Sequence, residues 1–287
     1  MDKKELTKTV LAGLGVFFIV LMVFAFWPVD GNEVAVIPIR GGIFADTVEA
    51  SPTAVQENID TARAEGAKAF LFQINSPGGT VVASRQLENV IGNVDEFTVC
   101  QLQDQATSGA YWAASACDKI ISDPLTITGS IGVGASYLEY SQMMEEEGIE
   151  YIRLVEGDLK DMGSPYRDLT DEERELFDNI LSKTHGDFTQ SVAINRNLTE
   201  EEMGEIGRGH IIIGEDALEK GLVDHWGGIN EARKLFEEYL EDDINFKEYR
   251  KEAGLIELLL GSESSIDLDH ATRLTEINIP SLYAIAS

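Results

Sequence analysis

Residues 69–74 read Ala-Phe-Leu-Phe-Gln-Ile, an almost unbroken apolar run that stops at Asn75-Ser76-Pro77-Gly78-Gly79. A short run with no in-out alternation predicts a strand buried on both faces, so its sheet must carry helices on each side. The flanking sequence supplies them. Ser51 precedes Pro52 at the start of a helix that runs toward Gly66, with Val55, Ile59 and Ala62 on one face. Val81 to Ile91 reads as a second helix, and the pattern repeats with a strand over Thr98 to Leu102, an alanine-rich helix over Ala110 to Ala116 and a strand over Lys119 to Ser122. A β-rich run over residues 34–39 precedes all of these. Such alternation predicts an α/β fold.

Downstream, strands are expected at Ile131 to Gly134, Tyr151 to Val155 and Gly209 to Ile213, with a helix over Ser136 to Glu147. Thr170 with Glu173, and Thr199 with Glu202, have capping-box spacing and predict helix starts. Asp216 to Lys220 makes a helical turn or two that ends at Gly221. Beyond Asp243 only Leu255 to Leu260 suggests a helix.

Val10 to Trp27 is an apolar run without a charge, preceded by Lys3, Lys4 and Lys8 and followed by Asp30 and Glu33. That length suits a single transmembrane helix, and the lysines before it place residues 1–9 in the cytoplasm and the body outside the cell membrane. No small-x-small cleavage site follows the run, so an uncleaved anchor is expected. The expected organisation is therefore a cytoplasmic segment 1–9, an anchor 10–27 in the lipid bilayer, a catalytic body 28–243 and an extension 244–287. With 22 Lys and Arg against 51 Asp and Glu, the chain has a formal charge of -29 and no basic stripe, which excludes nucleic acid as a partner. An exterior compartment permits disulfides. Cys100, in a strand-like run, and Cys117, in the helix after Ser108, are either bridged or two small buried residues.

The turn Gln105-Ala106-Thr107-Ser108-Gly109-Ala110 joins a strand to a helix. Ser108 there is either a helix cap or a hydroxyl that stands clear of the backbone, beside the first free amides of the helix. Two glycine turns, Ser76-Pro77-Gly78-Gly79 and Thr128-Gly129-Ser130-Ile131-Gly132, also follow strands. Glycines leave backbone amides open to a ligand oxygen, so Gly79 and Gly109 form a candidate oxyanion hole. Neither turn has the terminal Gly-Lys-Ser/Thr of a phosphate loop, and no cofactor or metal is expected. A serine nucleophile needs a base. The four histidines sit in polar contexts that recommend none of them, whereas Lys160 stands between a strand-like run and Gly163-Ser164-Pro165.

Five motifs in order carry a resemblance: Asn75 to Gly79, Ala106 to Tyr111, Thr128 to Val133, Lys160 to Pro165 and Gly221 to Asp224. Over residues 34–235 the chain resembles the signal peptide peptidase A family. The resemblance implies the Clp/crotonase superfold of repeated β-β-α units and a serine/lysine dyad. It makes Ser108 the nucleophile, Lys160 the general base, Ser130 the residue that orients Lys160, and Gly79 and Gly109 the oxyanion donors. Half-length members build each site across a subunit boundary, so a homo-oligomeric ring is implied. A lysine of ordinary pKa, about 10.4, is protonated at neutral pH, and burial at an interface is what makes it a base. Asp161 opposes that unless its carboxylate points elsewhere. The expected function is a membrane-anchored serine endopeptidase acting on signal peptides or other membrane-derived peptides. The competing expectations are a crotonase-like acyl-CoA enzyme and a catalytically silent membrane scaffold.

Overall fold

The computed structural model describes residues 32–250 of the 287-residue chain. The expected cytoplasmic segment 1–9, the anchor 10–27 and the patch Leu255 to Leu260 lie outside the described residues. Among those described, no helix is long and apolar enough to cross a membrane.

One mixed sheet organises the body. Its strands are β1 (Asn32–Arg40), β2 (Ala69–Ser76), β3 (Phe97–Thr107), β4 (Lys119–Ser122), β5 (Ile127–Gly129), β6 (Ile211–Ile213), β7 (His225–Trp226) and β8 (Ile244–Glu248). The main path runs β6-β5-β3-β2-β1-β8, with β4 and β7 branching from β3. All pairings are parallel except β5 with β6. The long strand β3 pairs with β4 over Val99 to Leu102 and then with β5 over Gln105 to Thr107, so the sheet divides where the chain approaches Ser108.

The unbroken apolar character of β2 is explained by its two covered faces. Phe70, Phe72 and Ile74 point into one core with α1 (Pro52–Glu65) and α2 (Val81–Gly92), while Ala69 and Leu71 join a second core with Phe236 of α8 (Ile229–Leu240). Each such side chain, fully buried, contributes about 1.5–3 kcal/mol. α1 starts and stops where its ends dictate. The Ser51 hydroxyl accepts from the Ala54 amide at 3.2 Å, and Gly66 ends the helix at φ +98°, a region open to glycine.

α3 (Gly109–Ala114) is a single buried turn and a half, held by Trp112 stacked on Phe188 of α5 (Asp171–Arg196) at 4.5 Å. The capping boxes at Thr170, which opens α5, and Thr199, which opens α6 (Glu200–Ile206), form as their spacing predicts. α7 (Gly214–Glu219) precedes the Gly221-to-Asp224 turn. There Leu222 and Val223 are buried, and Asp224 accepts from the Ile120 amide and pairs with Arg196 at 3.0 Å, which fastens β4 to α5.

Four expectations are corrected. Ile131 to Gly134 and Tyr151 to Val155 are not strands, and only α4 (Ser141–Glu146) of the expected Ser136-to-Glu147 helix forms. A strand needs a ladder partner, and among the described residues these segments make no ladder, only an isolated bridge at Gly134. Residue 243 is not the end of the fold, because β8 extends the sheet beside β1. Its amide groups pair with β1 even though its side chains are largely polar, which is how an edge strand escapes a reading based on hydrophobic pattern.

Candidate active site

Ser108 sits between β3 and α3 at φ +55° and ψ −126°. For a residue with a Cβ this conformation costs about 1–3 kcal/mol and is kept only where surrounding contacts fix it. Two contacts do so. The Ser108 amide donates to the Gly129 carbonyl at 2.8 Å, and a disulfide joins Cys100 on β3 to Cys117 just after α3, with Cα atoms 5.8 Å apart. The bridge thus closes the segment that carries Ser108. Of the two readings of the cysteines, the covalent one holds, and a loop of this length gains about 3 kcal/mol from closure in the chain-entropy account.

The Ser108 side chain is fully buried and its Oγ has no hydrogen-bond partner. It is therefore not a helix cap, for no amide of α3 reaches it. A buried hydroxyl without a partner costs free energy that a helix cap would have avoided, so its placement calls for a chemical role.

The glycines explain how amides come beside it. Gly78 is at φ +99°, and a Cβ there would lie 2.8 Å from the Gly109 nitrogen and 3.1 Å from the Ser108 Cβ, so the two turns touch. The Gly78 carbonyl accepts from Ile43 and the Ile43 carbonyl accepts from Thr80, which leaves the Gly79 amide out of the turn's hydrogen bonds. Gly109 is the first residue of α3, and its amide has no intrahelical acceptor. Two free amides thus stand next to an unpartnered hydroxyl, an arrangement that can stabilise a tetrahedral oxyanion.

Gly79 also has no room for a side chain, since a Cβ would come within 1.9 Å of the Ile43 carbonyl oxygen, which is backbone and cannot yield. If the Gly79 amide serves an oxyanion, Gly79→Ala is expected to cut turnover at least about 100-fold by displacing that amide from beside Ser108. Gly186→Ala, on α5 where a Cβ meets nothing within 4 Å, should retain turnover. Turnover of both, with circular dichroism to check folding, tests this pair.

Ser130 lies beside the Ser108 turn, since it follows Gly129, whose carbonyl holds Ser108. It too has positive φ, +51°, and its amide donates to the His210 carbonyl at 2.8 Å. A groove of about 810 Å³ opens from Ser130 and is lined by Gly132, Val133, His185, Met203 and Arg208. The His185 Nε2 is engaged with the Gly207 carbonyl at 2.7 Å, and no described histidine bonds to Ser108.

Lys160 is not brought to Ser108 within the chain. It is exposed, on a turn held by its own amide to the Gly157 carbonyl at 3.0 Å. The adjoining Asp161 is buried and turned away from it, onto Arg153 and Arg167 at 2.8 and 3.0 Å. Arg167 in turn reaches the buried Glu173 at the head of α5. Sequence reading passed over Arg153 and Arg167, and took Glu173 only as a capping-box residue. The available signal was two arginines flanking an acidic loop in a chain otherwise poor in cations. Ser84 was also missed. Its Oγ is buried, unpartnered and pressed against Gly109 so closely that a Cβ on that glycine would lie 2.0 Å from it.

A strained serine with flanking free amides on a covered α/β sheet defines the class as that of serine peptidases. The chain matches peptidase family S49 over residues 98–242, half of its length, and it belongs to that family. Among its relatives are the candidate protease MJ0651 of Methanocaldococcus jannaschii, 34% identical over 62% of this chain, and the candidate signal peptide peptidase SppA of Enterococcus faecium, 31% identical over 68%. The matched region spans 58% of the length of each of these two proteins. In fold, the chain is similar to a mutant of the 1510-N membrane-bound stomatin-specific protease, with a TM-score of 0.50 and 16% identity over 78% of this chain and all of that one.

Proposed function

We propose that the chain is a membrane-anchored serine endopeptidase in which Ser108 is the nucleophile and Lys160 of a neighbouring copy is the base. The observation that carries this is the division within one chain. Ser108 Oγ is buried and without any partner, while Lys160 is exposed. In the proposed cycle Ser108 attacks the scissile carbonyl and the neutral lysine amine takes its proton. Gly79 and Gly109 donate to the oxyanion, and the lysine returns the proton to the leaving amine; it then takes a proton from the water that attacks the acyl-Ser108 ester and passes it to the Ser108 oxygen as the acid leaves. Ser130 orients the incoming lysine.

The exposed segment from Gly134 to Lys160 supports the shared site. Leu138, Met143, Ile149, Ile152 and Leu154 are all more than half exposed there. Five large apolar side chains left exposed within one stretch of sequence suit a contact face. A second copy placed on it would bury the turn of Lys160, and desolvation favours the neutral amine a base requires. Repeated head to tail, such a contact closes into a ring.

The groove beside Ser130 suits an extended chain, and a body held next to the bilayer by residues 10–27 meets apolar peptides released from it. The substrate class is therefore signal peptides and other membrane-derived peptides, in line with the name of the Enterococcus faecium relative. Purified full-length protein should cleave a synthetic signal peptide faster than a folded soluble protein, and its serine should take a fluorophosphonate label. Faster cleavage of the folded protein would overturn the substrate class. Absence of both labelling and turnover would favour the silent scaffold, and thioester turnover without peptide turnover the acyl-CoA enzyme.

A further inference from the structure

The turn that carries Lys160 is held from both sides by a chain of four charges. Arg153 donates to the Asp158 carbonyl at 2.5 Å and, through Nε and an Nη, to both carboxylate oxygens of Asp161 at 2.8 Å. Arg167 donates to the same two oxygens at 3.0 Å and to the Asp161 carbonyl at 3.2 Å. It also donates to both oxygens of Glu173, at 2.5 and 2.9 Å. Glu173 closes the chain by accepting from the Thr170 amide in the capping box of α5. Asp161 and Glu173 are 5% and 1% exposed, so each carboxylate is nearly dry and needs its cations.

We propose that Arg153 and Arg167 are positioning residues for the base: they fix the Lys160 turn to the start of α5 and neutralise the one carboxylate adjacent to Lys160. This rests on the Ser108/Lys160 dyad proposed above. The charge argument is simple. A free Asp161 carboxylate beside the lysine favours its ammonium form, which cannot accept the Ser108 proton. Two guanidiniums against two carboxylates leave the clamp with no net charge. The charged groups around the turn are Asp158 and Asp161 upon it, Arg153 and Glu156 from the segment before, Arg167 and Asp168 from the segment after, and Glu173 from α5, and the exposed Glu156 and Asp158 are common to the parent and every variant. Hydrogen bonds from Arg153 and then Arg167 hold the Asp161 carboxyl far below the usual carboxylate range, and Arg167 holds Glu173 down to about 2. The clamp therefore stays ionised at neutral pH, and it acts there as a fixed charge pattern.

Two single substitutions move that pattern in opposite directions. Arg153→Gln removes a cation and leaves Asp161 under-compensated, so the acid limb of the kcat/KM profile should move up by about one pH unit, a loss of about tenfold below the midpoint. Asp161→Asn removes an anion while both guanidiniums remain, so the limb should move down. The double variant, whose charge matches the parent, should lie near the parent midpoint. The full chain in detergent, with an apolar fluorogenic peptide as substrate, gives all three profiles, and Lys160→Ala is measured beside them. If one single variant does not assemble, the direction of the other decides.

Profiles that keep the parent midpoint, or a loss equal at every pH, overturn the clamp while an inactive Lys160→Ala leaves the dyad standing. An active Lys160→Ala overturns the dyad itself.

Discussion

Ser108→Ala is expected to lower peptide hydrolysis by at least about 10⁴-fold with the oligomer intact, because no acyl-enzyme can form without that oxygen. The structure indicates why assembly should survive. The Oγ bonds to nothing, so its removal leaves no group unpaired, and the backbone of the turn is fixed by the Gly129 carbonyl and by the disulfide on either side of it. Alanine must still hold φ +55°, a strain the serine already bears. Stability should therefore change little while turnover disappears. Peptidase assays on the purified variant, with its elution volume and melting midpoint, give the comparison. Retention of more than a few per cent of parent turnover would remove Ser108 from the role of nucleophile.

The second large effect concerns the base. Lys160→Ala and Lys160→Arg should both be inactive, since a guanidinium keeps its proton in proteins and cannot accept one from Ser108. Neither change should disturb the fold of the single chain, in which Lys160 is exposed and anchored only through its backbone.

If the site is shared, inactive Ser108→Ala and inactive Lys160→Ala subunits mixed before assembly should regain part of the parent activity. In such a ring some neighbouring pairs bring an intact Ser108 to an intact Lys160, while others combine both losses. Oligomers verified to contain both variants and still inactive would show that each chain builds its own dyad. Activity in Lys160→Arg alone would call for another base.

Several features were legible from residue pattern because they depend on local chemistry. The double-sided burial of β2 follows from its unbroken apolar run, and the ends of α1 from Ser51, Pro52 and Gly66. The capping boxes at Thr170 and Thr199 need only residues three apart. Ser108 between a strand and a helix, and glycines after strands, likewise mark exposed amides without any knowledge of what lies opposite. The expected strands near residues 131 and 151 were misread for the converse reason. Alternating or apolar residues specify a strand only where a partner edge is present to complete its hydrogen bonds, and the described residues supply no more than an isolated bridge at Gly134 there.

By itself the sequence determined the covered α/β sheet, the serine turn and the glycine turns, since each depends on residues within a few positions of one another, whereas Lys160 entered as a base only through the family resemblance. Tertiary structure alone decided that Cys100 and Cys117 are joined, that Ser108 is held at positive φ with a free hydroxyl, and that Gly79 meets Ile43 too closely for any side chain. It also decided that the Asp161 carboxylate is turned onto Arg153 and Arg167 rather than toward Lys160. These depend on where distant segments come to lie after the sheet has formed. Distances between such segments are set by packing of the whole core, and no local pattern of residues encodes them.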